Sequence, residues 1–232
     1  MEFSKPLIKA TLIRRYKRFL ADMLLEDGRE VTAHCANPGA MLGISSPGSI
    51  SWLSQVPEGS TRKLAYSWEI VETEGTRVGI NTSRPNLLVS EALEKKLIPE
   101  LAAYEIVRKE VKYGTNSRVD FLLENSGLAP CYLEVKNVHL KRNERAEFPD
   151  CVTERGAKHL NELSRMVGNG ARAVLLYIVQ RNDCVGFSIA EDLDPFYAQA
   201  AREVCNNGVE SLCYQCNVQL SGLEISTPLK FK

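Results

Sequence analysis

Two short apolar strands are predicted in SRVDFLLENSGLAPCYLEVKNVHL, residues 117–140, on either side of a small polar turn. Asp120 interrupts the first strand, and Glu134 and Lys136 interrupt the second. Because side chains alternate between the faces of a strand, Glu134 and Lys136 share one face while Val135 points into the core. If the strands pair as a hairpin, Asp120 and Glu134 lie side by side. The stretch therefore predicts two adjacent carboxylates with an ammonium group beside them.

Such a cluster has a specific chemical use. Two adjacent carboxylates repel each other unless a hard divalent cation shares them. We expect Mg²⁺, or Mn²⁺ in its place, held by Asp120, Glu134 and the carbonyl oxygen of Val135, while Lys136 orients the attacking water or offsets charge on a phosphate. This predicts hydrolysis of a phosphodiester. The alternative is a cross-strand ion pair on a solvated sheet face, which the surrounding apolar residues make less favourable.

The sequence from about residue 86 onward alternates helices and strands. Ser90 is the predicted N-cap of a first helix. A second helix is predicted over 153–167, because apolar residues there recur at intervals of three and four. Asp150 precedes this helix and is expected to cap it, with a position near the metal as the alternative. The run ARAVLLYIVQR, residues 171–181, is typical of a central strand buried on both faces. The order α-β-β-β-α-β-β-α-β predicts an α/β domain built on a mixed central sheet.

This order, with Asp on the second strand and Glu-x-Lys on the third, resembles the core of the restriction-endonuclease-like PD-(D/E)xK nucleases. Asp120 matches the first acidic position, and Glu134 and Lys136 match the (D/E)xK, whereas Val119 stands where the motif is usually written with Pro. The resemblance implies a further acidic metal ligand on the first helix, for which Glu91 is the best candidate.

The first 85 residues are predicted to form strands with almost no helix. The Asp-Gly turn in EDG, residues 26–28, indicates a hairpin, and a loop rich in Gly, Pro and Ser follows at 38–49. Several short strands joined by turns indicate a small barrel or a sandwich, and a five-stranded OB-type barrel suits the length. The fold class is therefore α+β and α/β, an N-terminal OB-like β-barrel over residues 1–85 followed by an α/β domain over residues 86–232.

Two groups of residues are candidates for nucleic-acid contact. In RRYKR, a strand would place Arg14, Tyr16 and Arg18 on one face and Arg15 and Lys17 on the other. Basic residues interleaved with an aromatic ring suit phosphates and stacked bases, although a charged edge strand is an equally good interpretation. On the 153–167 helix, two basic residues share one flank where they could touch phosphate or simply face solvent: Arg155 and Lys158.

Overall charge and cysteine content limit the function classes. The formal net charge is +0, which disfavours strong non-specific nucleic-acid binding unless basic residues cluster, as they do within residues 1–20. The sequence shows neither a predicted membrane span nor a signal peptide, so we expect a cytoplasmic protein with no membrane partner. The seven cysteines are expected to be free thiols. Cys213 and Cys216 form a CxxC within a β-like run, which disfavours a redox or zinc role.

Several segments together resemble the sugar fermentation stimulation protein family, from about residue 5 to residue 227. The most specific are EVKNV and ERGAKHL, accompanied by RYKRFLADMLLEDG, GINTSRPN and CYQC. The resemblance implies an OB-like domain on a nuclease-like domain, DNA binding, and a regulatory role in sugar utilisation. Ala36 and Pro38 depart from the residues more usual in the family.

Three functions remain open from the sequence. The first is a Mg²⁺-dependent DNA endonuclease, and the second is a non-catalytic DNA-binding transcriptional regulator of sugar metabolism. The third is an enzyme that processes RNA or a small nucleotide with the same cluster. The oligomeric state is also open, with a homodimer as one option.

Overall fold

The computed structural model describes residues 1–57, 59–114 and 117–231. Fifteen strands and three α-helices lie in this part of the chain, together with a short 3-10 helix at Pro99–Leu101. The strands are β1 (Ile8–Tyr16), β2 (Leu20–Leu25), β3 (Glu30–His34), β4 (Ile50–Gln55), β5 (Tyr66–Thr73), β6 (Thr76–Gly79), β7 (Ile106–Tyr113), β8 (Ser117–Glu124), β9 (Cys131–Val138), β10 (Leu140–Arg142), β11 (Arg145–Phe148), β12 (Arg172–Val179), β13 (Gly186–Ile189), β14 (Glu210–Val218) and β15 (Leu223–Pro228). The helices are α1 (Arg84–Glu94), α2 (Glu154–Gly168) and α3 (Pro195–Asn206).

Strands β1 to β5 close into a barrel. β1 pairs with β2 and β4, β2 pairs with β3, and β4 pairs with β5, all antiparallel. A short parallel pairing of β3 with β5 closes the ring, and β6 extends β5 outside it. Side chains such as Leu12, Met23, Leu53 and Trp68 fill the interior and are almost fully buried. The predicted OB-like barrel is confirmed.

The strand predicted over RRYKR ends earlier than expected. β1 stops at Tyr16, and Lys17 and Arg18 form the turn to β2 with positive φ angles of 48° and 61°. A backbone in this left-handed region cannot continue the alternation of a strand. The prediction that Arg18 shares a strand face with Arg14 is therefore wrong. The prediction that Lys17 shares the opposite strand face with Arg15 is wrong for the same reason.

The second half of the chain is built on a mixed six-stranded sheet, in the order β15-β14-β12-β9-β8-β7. The central strands β9, β12 and β14 run parallel, while the outer pairs are antiparallel. In β12 every residue from Ala173 to Val179 is buried, as its continuous apolar run predicts. Helix α1 packs on one face of the sheet, and α2 and α3 pack on the other. The predicted mixed sheet is confirmed.

Two helix caps differ from those predicted. Helix α1 begins at Arg84 with Pro85 in its first turn, so Ser90 is a buried residue in the helix interior rather than its N-cap. Helix α2 is capped by Thr153, whose side chain accepts a hydrogen bond from the Gly156 N–H. Thr153 completes the capping requirement, which leaves Asp150 available for another contact.

That contact joins the barrel to the α/β domain. The Asp150 carboxylate accepts hydrogen bonds from the Met41 N–H at 2.8 Å and from His139 Nε2 at 3.1 Å. A Cβ atom on Gly39 would lie 2.6 Å from the carboxylate oxygens, so this approach requires glycine. Burial alone would raise the pKa of Asp150, but the hydrogen bonds from His139 and from the Met41 N–H lower it to about 2. The carboxylate therefore acts as a charged clamp between the two halves.

The CxxC pair lies in β14, as predicted. Cys213 packs with the α2 side of the sheet and Cys216 with the α1 side, so the two thiols face opposite ways. They therefore share no ligand, and both are buried free thiols. No helix within residues 1–57, 59–114 and 117–231 is long and apolar enough to cross a membrane.

Candidate active site

Strands β8 and β9 separate at Asp120. Their backbone ladder runs from Leu123 opposite Cys131 to Phe121 opposite Leu133 and ends there. Beyond this point the Val135 N–H donates to Asp120 Oδ2 at 2.8 Å, so a carboxylate replaces the next backbone acceptor. Asp120, Glu134 and Lys136 consequently line one cleft of about 660 Å³ at the fork between the strands. Val135 packs into the core on the α1 side of the sheet.

Glu134 is buried, with 2% of its surface exposed, yet it is well supplied with hydrogen-bond donors. Its Oε1 accepts from Lys136 Nζ at 2.9 Å and from the His159 ring at Nδ1. Burial alone would raise the pKa of Glu134, but the His159 hydrogen bond and the Lys136 charge outweigh it, and the pKa is lowered. Glu134 is therefore a carboxylate at neutral pH.

The second oxygen of Glu134 has no such support. Oε2 is buried and finds no hydrogen-bond partner among the residues described. A buried carboxylate oxygen without a partner is costly and rare in native proteins. A cation at this oxygen would remove that cost.

Asp120 is held from the opposite side by helix α1. The Asn86 Nδ2 group donates to Asp120 Oδ1 at 2.8 Å. Burial and the neighbouring charge of Glu134 raise the pKa of Asp120 above its ordinary value. Two carboxylates that oppose each other's ionisation in one cleft are the arrangement that a shared divalent cation stabilises.

Basic side chains occupy the rim of the cleft. Arg118, Arg155 and Lys158 are exposed and line it together with the carboxylates. Arg155 Nε lies 3.4 Å from His159 Nε2 and donates to it, which leaves Nδ1–H of the same ring to donate to Glu134. The predicted flank of α2 therefore does face the carboxylate cluster.

The structure does not bring Glu91 to this cluster. Glu91 binds the Met1 ammonium group and Lys95, and it lines a separate cavity with residues of β15. The hydrogen bond from Lys95 and the Met1 ammonium lower its pKa. Asn86, near the start of the same helix, occupies the position that was expected of an acidic residue.

The basic residues of β1 are also distributed differently from the prediction. Arg14 pairs with Asp22 at 2.8 Å and lies over the Tyr16 ring, 4.9 Å from its centroid. Arg15 donates to the carbonyl oxygens of Asn37 and Gly39, where it holds the loop after β3. Lys17 lies in the exposed turn, and Arg18 lines a second cavity beside the cleft.

Sequence reasoning missed His159, Asn86 and Arg118. His159 carried a signal, since it falls on the buried stripe of α2 beside Leu160, where a polar ring requires a partner. Asn86 and Arg118 carried none. In the part of the chain that the structure describes, no three His, Cys, Asp or Glu side chains are grouped to hold a metal. Any cation at the fork therefore needs backbone oxygen or water as well as the two carboxylates.

Comparisons with known proteins cover nearly the whole chain. The model of the SfsA N-terminal OB domain matches residues 13–80, and that of the sugar fermentation stimulation protein RE domain matches residues 83–222. A sugar fermentation stimulation protein homolog of Rhodospirillum centenum is 56% identical over 231 residues, covering 99% of both chains. The homolog of Paramagnetospirillum magneticum is 53% identical, covering 99% of this chain and 97% of its own.

Similarity to a solved structure extends over the full length. That structure is SfsA of Pyrococcus furiosus in complex with Ca²⁺, with a TM-score of 0.91 and 29% sequence identity. The match covers 100% of this chain and 98% of the Pyrococcus chain. The two-domain arrangement described above is therefore shared with that protein.

Proposed function

We propose that this chain, which belongs to the sugar fermentation stimulation protein family, is a divalent-metal-dependent phosphodiesterase that cleaves DNA. The observation that carries the proposal is the fork at Asp120, where the half-buried Asp120 carboxylate, the buried Glu134 carboxylate and the Lys136 ammonium face one cleft. Asp120 also accepts from the Val135 N–H, but the buried Glu134 Oε2 atom has no partner among the described residues. Retaining such an oxygen costs stability, as functional sites commonly do.

The residues at the fork fit a hard cation. Glu134 Oε2 is a buried oxygen with no partner in the described part of the chain, and Asp120 carries a carboxylate whose ionisation Glu134 opposes. Asp120, Glu134 and the Val135 carbonyl would hold the ion, with water completing the shell. The Ca²⁺ complex of the similar Pyrococcus protein supports a divalent site in this fold. When bound, Mg²⁺ or Mn²⁺ supplies Lewis-acid stabilisation of the charge that develops on the phosphate.

The chain's own groups divide the remaining work. Lys136 contacts Glu134 Oε1 and faces the cleft, where its ammonium can orient the attacking water and offset charge on the phosphate. His159 fixes the orientation of Glu134 by donating to the same oxygen. Arg155 and Lys158 line the same cleft, where they would contact the phosphates that flank the reacting one.

The direct test is plasmid nicking with the purified protein. Supercoiled DNA is incubated with Mg²⁺, Mn²⁺, Ca²⁺ or EDTA, and open circular product is measured. We expect product with Mg²⁺ or Mn²⁺ and none with EDTA. Glu134→Gln retains a side-chain oxygen for both donors but loses the charge that would bind the cation, so we expect activity to fall at least about a hundredfold.

Two controls make the result interpretable. Glu94→Gln removes an exposed carboxylate from α1 outside the cleft, and it should nick like the wild type. Thermal denaturation shows whether each variant remains folded. Nicking that survives in a folded Glu134→Gln protein would show that the activity comes from elsewhere. DNA binding without nicking by the wild type under every metal condition would instead favour the non-catalytic regulator.

A further inference from the structure

The candidate active-site cleft continues into a second cavity. This second cavity has a volume of about 380 Å³ and lies between the barrel and the α/β domain. Five residues line both spaces, and they are Thr82, Asn137, Phe148, Thr153 and Arg155. The two spaces therefore form one groove, the interdomain groove, that runs from Arg118 past the carboxylate fork to Arg18 on the β1–β2 turn.

The charged residues of the described chain are not paired evenly. Most arginines have a carboxylate oxygen within 4.0 Å, as Arg14 and Arg142 do. Among the described residues that lack one, three line the interdomain groove: Arg18, Arg118 and Arg155. Elsewhere in the described chain, three arginines lack such a partner, and they are Arg15, which binds carbonyl oxygens, Arg62 and Arg145. All three arginines that line the groove are therefore without a carboxylate among the described residues, against three of the thirteen outside it.

The groove also holds carboxylates, and their positions matter. Asp120, Glu134 and Asp150 are largely buried at its floor and make hydrogen bonds there. The exposed carboxylates that line it are Glu110 and Glu154, against four exposed cations, namely Arg18, Arg118, Arg155 and Lys158. The accessible walls of the groove therefore favour an anion, although the chain as a whole is neutral.

An aromatic ring lies where the two spaces meet. Phe148 is half-buried, and its ring packs edge-on against Tyr197 with centroids 5.2 Å apart and against Tyr177 at 5.6 Å. Packing on two sides fixes the ring, while its remaining surface lines the groove. A fixed aromatic ring between cationic groups suits a stacked base and its phosphates better than a simple anion.

We propose that the interdomain groove binds one polynucleotide strand on both sides of the phosphate at the fork. Arg118 contacts the strand on one side, Arg155 and Arg18 contact it on the other, and Phe148 supports a base between them. The position of the reacting phosphate rests on the proposed function, whereas the binding of a strand does not. Because Arg18 comes from the barrel, both domains hold the same strand, and a mononucleotide is too short to use all the contacts.

Fluorescence anisotropy with a labelled single-stranded DNA of about 20 nucleotides tests this without cleavage, in EDTA. The variants are Arg18→Gln, Arg118→Gln and Arg155→Gln, and the matched control is Arg145→Gln, an exposed unpaired arginine outside the groove. We expect each groove variant to bind about two- to fivefold more weakly. The slope of log affinity against log salt should fall by about 0.7 per lost phosphate contact, and the control should match the wild type.

Each outcome decides the proposal. Equal affinity for the groove variants and Arg145→Gln overturns it, as does a wild type that binds no strand. The proposal is also overturned if thymidine monophosphate displaces the labelled strand at the same nucleotide concentration as unlabelled strand does. One phosphate would then be enough for binding. Loss of affinity in the groove variants of a protein that never nicks DNA supports the groove and sinks the nuclease. Nicking of DNA together with unchanged affinity in all groove variants supports the nuclease and overturns the groove.

Discussion

Removing the charge of Asp150 should loosen the barrel from the α/β domain without removing a hydrogen bond. Both donors, the Met41 N–H and His139 Nε2, reach the same oxygen, Oδ2. Asp150→Asn can therefore place its amide oxygen at that position and accept from both. The variant isolates the contribution of the negative charge.

The size of the effect follows from the pKa. A carboxyl whose pKa is lowered from 3.8 to about 2 contributes at most about 2.5 kcal/mol, at about 1.4 kcal/mol per pH unit. Asp150 is partly exposed, with 13% of its side chain accessible, so solvent screening reduces this to about 1–2 kcal/mol. We expect urea unfolding at pH 7 to show a loss of that order in Asp150→Asn.

The dependence on pH has a definite sign. Because the pKa of Asp150 is depressed in the folded protein, its stabilisation is complete above about pH 5 and is lost as pH falls through 4 towards 2. The stability gap between wild type and Asp150→Asn should therefore close over that range. Asp27→Asn, which removes an exposed carboxylate in the β2–β3 turn, is the control, and its urea unfolding should stay close to that of the wild type over the same pH range.

A local measurement separates the clamp from global stability. Hydrogen exchange of the Met41 amide reports directly on the bond to Asp150, and it should become faster in Asp150→Asn at pH 7. Unchanged exchange at Met41, or a stability gap that stays constant from pH 7 to pH 2, would refute the reasoning. Either result would mean that the charge contributes nothing to the junction of the domains.

Two further predictions concern side chains that position the site. His159→Leu removes the ring that orients Glu134. We expect Mn²⁺ affinity, measured by calorimetry, to weaken about 10- to 100-fold. Unchanged affinity would show that the ring is only structural. Arg84→Met leaves the buried Glu69 carboxylate without its bidentate partner, so urea unfolding should show a loss of about 3–5 kcal/mol. A loss below 1 kcal/mol in that variant would show that Ser54 and Asn81 satisfy Glu69 by themselves.

The carboxylate fork could be predicted because its parts are close in sequence. Strand alternation and a short hairpin loop determine where Asp120, Glu134 and Lys136 lie relative to one another. The barrel was predictable for a similar reason, since turn residues such as Gly28, with φ of 84°, mark its corners. Local patterns therefore fix those parts of the molecule whose geometry is local.

The predictions for helix α1 were wrong because the position of its first residue decides which side chains face the fork. Helix α1 begins at Arg84 rather than near Ser90, and Asn86 is the residue that reaches Asp120. Glu91 follows Asn86 by five residues, which turns it by about 140° around the helix axis and away from the fork. Glu91 reaches the Met1 ammonium instead, a partner ninety positions away in the chain. No local pattern in the sequence contains that contact.

The interdomain groove could not be predicted for a related reason. Its walls come from the β1–β2 turn, the start of β8 and helix α2, and their approach depends on contacts such as that of Asp150 with Met41. Local composition also pointed the wrong way, because it placed the basic surface on the face of β1. Arg14 and Arg15 do lie on β1, but Arg14 already donates to Asp22. Arg15 already donates to carbonyl oxygens in the loop after β3.

The same pairing explains how a neutral chain can carry a basic site. A net charge of +0 limits the long-range field, but it says nothing about where the uncompensated charges lie. Elsewhere on the surface, arginines such as Arg142 and Arg172 are matched by carboxylates in bidentate contact. Among the described residues, ten of the thirteen arginines outside the interdomain groove have a carboxylate partner, whereas the three that line it have none. A polyanion would be attracted only at short range, so affinity should be modest, strongly dependent on salt, and confined to the face that carries the fork.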